Sequence, residues 1–335
     1  MPLFRRTSPA DRQAAAANAE RDAASQAALE AGGLPLRAQE RLARQRAQGG
    51  VWTGDLSVGE LAALHRTGFE PVGQVMGSSL YRVSTFAGQG PGVWGGGLGG
   101  FGGGIGSLAP QENTMLTEAL AAARARAMSR LVQETVGLEA HGVVGVRVRM
   151  RAYEWGANLL EFTAIGTAVR HPAEPPLPRP FTSDLSGQEF GKLVAVGWMP
   201  VGLVFGASAV QSVAMFGVGP GMSGWAAGGV AVNSWANQEV GSFTQGQRLA
   251  QRRARERLLA DARRQGAHGV VGVGITRRVM EFPTGSESVQ GRLLEWVVVG
   301  TGVVAVTAAH RAQRPAMVVP LRRPGERPER GPARP

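Results

Sequence analysis

The stretch Ala140-His141-Gly142-Val143-Val144-Gly145-Val146 returns 127 residues later as Ala267-His268-Gly269-Val270-Val271-Gly272-Val273. Upstream of it, Asp55-Leu56-Ser57 returns 129 residues later as Asp184-Leu185-Ser186. Because the order of the matches is kept and the spacing drifts by only a few residues, the sequence predicts two tandem copies of one domain.

Two further matches support the repeat. The pair Leu159–Phe162 and Leu293–Trp296 lies 134 residues apart, and the helical pattern of Arg126, Ala127 and Arg130 recurs from Arg253 onward. Each copy reads as a short helix, a short strand, a long helix and two final strands. This order predicts an α+β fold of two tandem β-α-β-β domains, each with a helix packed on a small antiparallel sheet.

Several local expectations follow from the pattern. Asp55 and Asp184 are expected to cap the short helices at their N-termini, because their carboxylates can accept hydrogen bonds from first-turn N–H groups. The long helices are expected over about 112–136 and 237–265. In the strand after the first long helix, alternation predicts one apolar face and one basic face. The apolar face is Val144, Val146, Val148 and Met150, and the basic face is Arg147, Arg149 and Arg151.

The composition suggests five segments. Residues 1–50 form an Ala/Arg-rich extension with a frayed helix over about 11–46. The two domains are expected at 51–170 and 181–309. Residues 171–180 hold five prolines and are expected to act as a semi-rigid polyproline strut between them. Residues 310–335, rich in Pro, Arg and Glu, are expected to be a disordered basic tail.

The charge balance limits the function classes. The chain has 335 residues, 36 Lys+Arg, 25 Asp+Glu and no cysteine. The absence of cysteine excludes disulfides, thiol nucleophiles and thiolate metal sites. Much of the net charge of +11 lies in the two tails, which favours a weak polyanion or membrane-surface contact but no specific nucleic acid. No secretory signal is visible, so a cytoplasmic location is expected.

The repeated residues resemble the YbjQ-like family, whose name carries a heavy-metal-binding label. The matching motifs are Ala140–Val146 with Gly166–Val169, and Gly266–Val273 with Gly300–Val303. The resemblance implies a small dodecin-like α/β domain that assembles into pentameric rings through its sheet edges, without an established enzymatic activity. Two domains in one chain cannot close a single five-fold ring of whole chains, so stacked, linked or pseudo-symmetric rings remain alternatives.

The candidate metal ligands are His141 and His268, the only histidines that recur between the copies. Imidazole binds zinc, copper and nickel, and a ring would bring several copies together. The competing interpretation is that both rings hydrogen-bond the turn that ends the long helix. No cofactor is certain; a divalent metal ion is the candidate.

The candidate contact residues fall into two sets. The strand and oligomer interface is expected at ten positions, namely Val144, Val146, Val148, Ile165, Thr167, Val271, Val273, Ile275, Val299 and Thr301. Apolar contacts are expected from the Gly-rich insertions at 88–106 and 215–231, through Trp94, Phe101, Phe216 and Trp225.

We therefore expect a non-enzymatic, homo-oligomeric, ring-forming assembly or binding protein. One alternative is a heavy-metal-binding protein that uses His141 and His268. Another is peripheral membrane or polyanion association through the tails and the apolar loops. Glu161 and Glu295 recur on the final strands, but no nucleophile or base recurs beside them, so they are expected to pair with the arginine face.

Overall fold

The computed structural model describes residues 9–47, 52–82, 109–153, 159–175, 177, 179–218, 230–231, 239–282 and 289–306. Within them the chain is a mixed α+β protein with two small sheets whose strands are mostly antiparallel. None of the helices in these ranges is both long enough and apolar enough to cross a membrane.

The N-terminal extension holds two helices, α1 (Pro9–Glu30) and α2 (Leu36–Ala47), where the sequence predicted a single frayed one. Leu42 of α2 is buried in the same core as Val75 and Leu138 of the first sheet and its helix. The extension is therefore partly integrated into the fold, because α2 has an apolar side that contacts the first half of the chain.

The first half continues with one short helix, one long helix and four strands. They are α3 (Val58–Arg66), β1 (Glu70–Arg82), β2 (Gln111–Glu112), α4 (Thr114–Gly137), β3 (Gly142–Tyr153) and β4 (Leu159–Arg170). The first sheet has the order β1-β4-β3-β5, and β5 comes from the second half.

The second half has the same order of main elements. They are β5 (Phe181–Thr182), α5 (Gly187–Ala195), β6 (Trp198–Val218), β7 (Val230–Ala231), α6 (Gly241–Arg264), β8 (Gly269–Phe282) and β9 (Val289–Ala305). The second sheet has the order β2-β6-β9-β8, with β7 pairing β6, and β2 comes from the first half. Each half thus contributes a short strand to the sheet of the other.

The short helices begin two residues later than predicted. Ser57 caps α3 and Ser186 caps α5, each in a capping box with the glutamate three residues on. The expectation for Asp55 and Asp184 was wrong, because the serine hydroxyls accept the first-turn N–H groups and the aspartates bond elsewhere.

Each long helix packs closely against a glycine of a neighbouring strand, Gly77 of β1 for α4 and Gly206 of β6 for α6. A Cβ at Gly77 would overlap the backbone carbonyl of Ala127, and a Cβ at Gly206 would overlap that of Ala254. The long helices are found within a few residues of their predicted bounds. The strands beside them are longer than the short strands predicted from the sequence, and β6 runs for 21 residues.

A bulge in β3 breaks the predicted apolar face. Gly145 has φ +63°, and the register against β4 shifts between Val144 and Arg147. Val144 therefore lies in a different core cluster from Val146, next to Phe181 and the short helix α5. The prediction that Val144 shares a face with Val146 and Val148 was wrong, because the extra residue reverses the side of the sheet.

The two halves are in direct contact, which corrects the prediction of two domains held apart by a strut. One hydrophobic cluster joins Leu120 and Phe162 of the first half to Phe205 and Leu293 of the second. The rings of Phe162 and Phe205 meet edge to face with their centroids 6.2 Å apart. A proline-rich linker favours an extended conformation, but the free energy gained by burying this shared apolar surface favours contact between the halves.

Candidate assembly interface

The contact between the halves begins where β2 adds to the edge of β6. Gln111 pairs with Gln211, and the N–H of Asn113 donates to the carbonyl of Ala209 at 2.8 Å. The N–H of Ala209 in turn donates to the hydroxyl of Thr117 at 3.0 Å. The start of α4 is thereby fixed to the outer strand of the second sheet.

A buried carboxylate completes this first contact. Glu112 of the first half accepts from the hydroxyl of Ser208 at 2.6 Å, from Arg253 at 2.9 Å and from both terminal nitrogens of Arg257. Burial alone would raise the pKa of Glu112, but the bonds from Arg257 and Ser208 outweigh it and leave that pKa below its usual value. Glu112 is therefore held as an anion between two arginines.

A second contact lies at the opposite edge of the first sheet. Phe181 and Thr182 pair in parallel with Gly142 and Val143 of β3. The chain then continues along the bulge, where the N–H of Val146 donates to Ser183 at 2.8 Å and the N–H of Gly145 donates to Leu185 at 2.8 Å.

The same segment is also held by its own half. The N–H of Asp184 donates to the hydroxyl of Thr301 at 3.0 Å, and Thr301 donates to the Asp184 carboxylate. Burial raises the pKa of Asp184, although the bond from Thr301 opposes the shift. The matching bond in the first half runs from the N–H of Asp55 to Thr167 at 3.2 Å. Thr167 and Thr301, both predicted interface positions, therefore anchor equivalent segments.

A third contact joins the two long helices. Arg124 of α4 bonds the carbonyl of Leu203 and lies 3.5 Å from Asp261 of α6, with its guanidinium 5.0 Å from the Phe205 ring centre. Burial lowers the pKa of Arg124, and Asp261 opposes that shift. Asp261 also accepts from the N–H of Phe205 at 2.9 Å.

The other predicted interface positions are distributed unevenly. Val146 is buried and Val148 half-buried against the second half, and Val299 belongs to the same packing. Ile165 and Val271 are half-buried, whereas Val273 and Ile275 are exposed. The prediction did not include Glu112, Ser208, Arg253 or Arg257. The repeat could have pointed to these residues, because each has a counterpart of the same type in the other half. Glu112 matches Glu239, Ser208 matches Ser79, and Arg253 and Arg257 match Arg126 and Arg130.

The predicted apolar loop contacts lie mostly beyond the described residues. Trp94, Phe101 and Trp225 fall outside them, and Phe216 is described only through its backbone pairing with Val230. The tail 310–335 is also outside the described ranges.

Both recurring histidines accept a hydrogen bond from a backbone N–H in the described part of the chain. The Nδ1 of His141 accepts from the N–H of His171 at 3.2 Å, and the Nδ1 of His268 accepts from that of Ala305 at 3.3 Å. The Nε2 of His141 is buried and has no hydrogen-bond partner among the described residues. No three His, Cys, Asp or Glu side chains among the described residues come together as ligands.

Glu295 of the final strand pairs with an arginine, as expected. Glu295 is buried 3.4 Å from Arg278, and burial raises its pKa against the opposing charge of that arginine. On the matching face of the first sheet, Arg147 pairs with Asp55 at 2.6 Å.

Two comparisons show which known proteins the chain is similar to. Residues 96–171 match the YbjQ family model, described as "putative heavy-metal-binding". The chain is also 34% identical over 276 residues to the Encapsulin nanocompartment protein Rv1762c of Mycobacterium tuberculosis, a match that covers 81% of this chain and 92% of that relative.

Proposed function

The chain belongs to the YbjQ-like family and to the family of its mycobacterial relative, and from that premise we propose that it is a non-enzymatic assembly protein. It comprises two copies of one domain, at 51–170 and 181–309, joined by the linker 171–180. These copies associate with those of other chains into a closed, ring-like homo-oligomer. The protein acts as part of an encapsulin nanocompartment, as the name of its relative suggests.

The observation that carries this proposal is the exchange of edge strands. The first half completes the second sheet with β2, and the second half completes the first sheet with β5. Sheet edges with unpaired N–H and C=O groups are the usual sites at which β-domains associate. The contact inside the chain therefore supports an assembly role for these domains, and the candidate interface has no catalytic constellation among its described residues.

Native mass spectrometry of the protein purified without a His-tag tests the proposal. We expect a discrete oligomer whose mass is a whole multiple of the chain mass, 35.1 kDa. A monomer across the micromolar range would overturn it. The nanocompartment role is tested separately by sedimenting extracts of the producing cells. The chain should travel with the particle fractions, and its absence from them would overturn that part.

Two alternatives from the sequence stay predictions. Metal binding would appear as a stoichiometric adduct in the same spectrum and would disappear when His141 and His268 are both replaced by Ala. Polyanion or membrane association would require the tail 310–335, and its removal would abolish binding at low salt.

A further inference from the structure

Each half has a surface whose equivalent in the other half is already covered. We call the free surface of the first half the acceptor surface, and that of the second half the donor surface. The acceptor surface consists of Trp52–Leu56, Met76, Leu80, Arg126 and Arg130. The donor surface consists of Glu239, Thr244, Val273 and Ile275.

Apolar residues at matching positions differ sharply in exposure. Val146 is 3% exposed because the second half covers it, whereas the matching Val273 is 50% exposed. Ala209 is fully buried beneath the first half, whereas the matching Leu80 is 61% exposed. The two surfaces therefore leave apolar area in water at the positions that the internal contact buries.

The charges of the two free surfaces are also complementary. Arg126 and Arg130 match Arg253 and Arg257, which bind Glu112 within the chain. Neither Arg126 nor Arg130 has an acidic partner in the described ranges, and burial together with the charge of Arg126 lowers the pKa of Arg130. The residue that matches Glu112 is Glu239, which is exposed at the start of α6.

The surroundings of Glu239 reproduce the internal arrangement. Thr244 donates to Glu239 at 2.6 Å, as the matching Thr117 lies 3.4 Å from Glu112. In the first half, the residue that matches Ser208 is Ser79. Its hydroxyl donates to the carbonyl of Ala123 at 2.6 Å. If this hydroxyl rotated, it could donate to Glu239 of another chain, as Ser208 donates to Glu112 within one chain.

The backbone edges match as well. Gly272 has φ +65°, close to that of Gly145, so β8 carries the same bulge as β3. Among the described residues no strand pairs the outer edge of β8. The segment that matches 181–185 is Trp52–Leu56 of the acceptor surface, and most of it is exposed.

The N-terminal helix α2 is compatible with such a contact. Arg41 bonds Glu134 and the carbonyl of Gln74, the positions that match Asp261 and Leu203, so it takes the place that Arg124 has in the internal contact. The residue that matches Arg124 in the second half is Gln251. A shorter, neutral side chain there would not compete with Arg41 for Glu134.

We propose that chains join head to tail, with the donor surface of one chain binding the acceptor surface of another in a repeat of the internal contact. This inference rests on the proposed function and names the partner as a second copy of this chain. A head-to-tail contact closes into a ring or continues into a filament. A closed ring then holds an even number of domain copies.

Charge reversal on the full chain tests the proposal. Glu239→Arg and the double variant Arg126→Glu with Arg130→Glu should each weaken self-association about tenfold or more in sedimentation equilibrium, because like charges then meet at the contact. An equimolar mixture of the two should recover association. Glu174→Arg, which changes the same charge on the exposed linker, is the matched control and should have no effect.

The absence of native cysteine allows a sharper assay. The pair Thr53→Cys with Val270→Cys should form disulfides between chains, giving covalent multimers on non-reducing gels. The matched pair Thr182→Cys with Val143→Cys, which are register partners, should form its disulfide within one chain. An oligomer that neither forms the interchain disulfide nor responds to Glu239→Arg would overturn this inference but leave the proposed function intact. A monomeric wild-type chain would overturn both.

Discussion

Glu134 and Asp261 occupy matching positions on the two long helices, and each accepts a backbone N–H from the first strand of its sheet. Met76 donates to Glu134 at 2.7 Å, and Phe205 donates to Asp261 at 2.9 Å. Each acid also binds an arginine, but Arg41 comes from the N-terminal extension and Arg124 from the other half. The local geometry is the same in both halves, and the neighbour that completes it differs.

The close helix contact in the two halves offers the largest expected effect. Gly77→Ala and Gly206→Ala should each destabilise the protein by about 3 kcal/mol or more, because a Cβ would overlap helix backbone that cannot move aside. Urea unfolding followed by circular dichroism measures this. Gly274→Ala, where the added Cβ meets nothing within 4 Å, should change stability by less than about 0.5 kcal/mol. Clearly different losses of unfolding free energy for Gly77→Ala and Gly206→Ala would contradict the equivalence of the two helix–strand contacts.

The matched glutamates of the interface should differ next. Glu112→Ala removes the charged acceptor of Ser208, Arg253 and Arg257 and should cost about 2 kcal/mol of unfolding free energy. Glu239→Ala should cost less than about 0.5 kcal/mol in the dissociated chain, because its carboxylate is exposed. Urea titrations at low protein concentration compare the two, and equal losses would contradict the assignment.

The contribution of Glu112 to stability depends on pH with a defined sign. Because the folded-state pKa of Glu112 lies below its unfolded value, its contribution is present above the ordinary pKa of glutamate. It is lost as the pH falls through the folded pKa. Glu112→Gln should therefore reduce the acid sensitivity of the unfolding free energy.

The smallest effect is expected at the buried glutamate of the second sheet. The folded-state pKa of Glu295 is raised, so the native state holds its proton more tightly and stability falls as the pH rises from the ordinary glutamate pKa through the folded one. Glu295→Gln should raise the unfolding free energy at pH 8 and flatten this slope. Urea midpoints at pH 5 and pH 8 measure it.

The repeat made much of the fold predictable from the sequence. The long helices, the final hairpins and the position of Thr167 and Thr301 follow from local periodicity and from matches between the halves. The bulge at Gly145 was not predictable in this way, because one extra residue reverses a face without changing composition. The contact of Phe162 with Phe205 and the pairing of β2 with β6 depend on distant segments, which the periodicity of either segment does not reveal.

The candidate interface shows the same division. The sequence analysis placed an interface on strand positions such as Val146 and Val148, because exposed β-edges and apolar alternation are local features. The role of Glu112 was missed, because a glutamate near a helix start is also a common solvent-exposed residue. Arg41 lay in a segment that the repeat does not include, so no match within the chain pointed to it.

The linker between the halves has a consequence for how assembly depends on the amount of protein. A short tether holds the two halves at an effective concentration on the order of millimolar. The contact inside one chain therefore forms however dilute the protein is. The equivalent contact between chains has no tether and forms only when enough protein accumulates. A cell could thus hold folded, ready subunits at low expression and convert them to assemblies simply by making more.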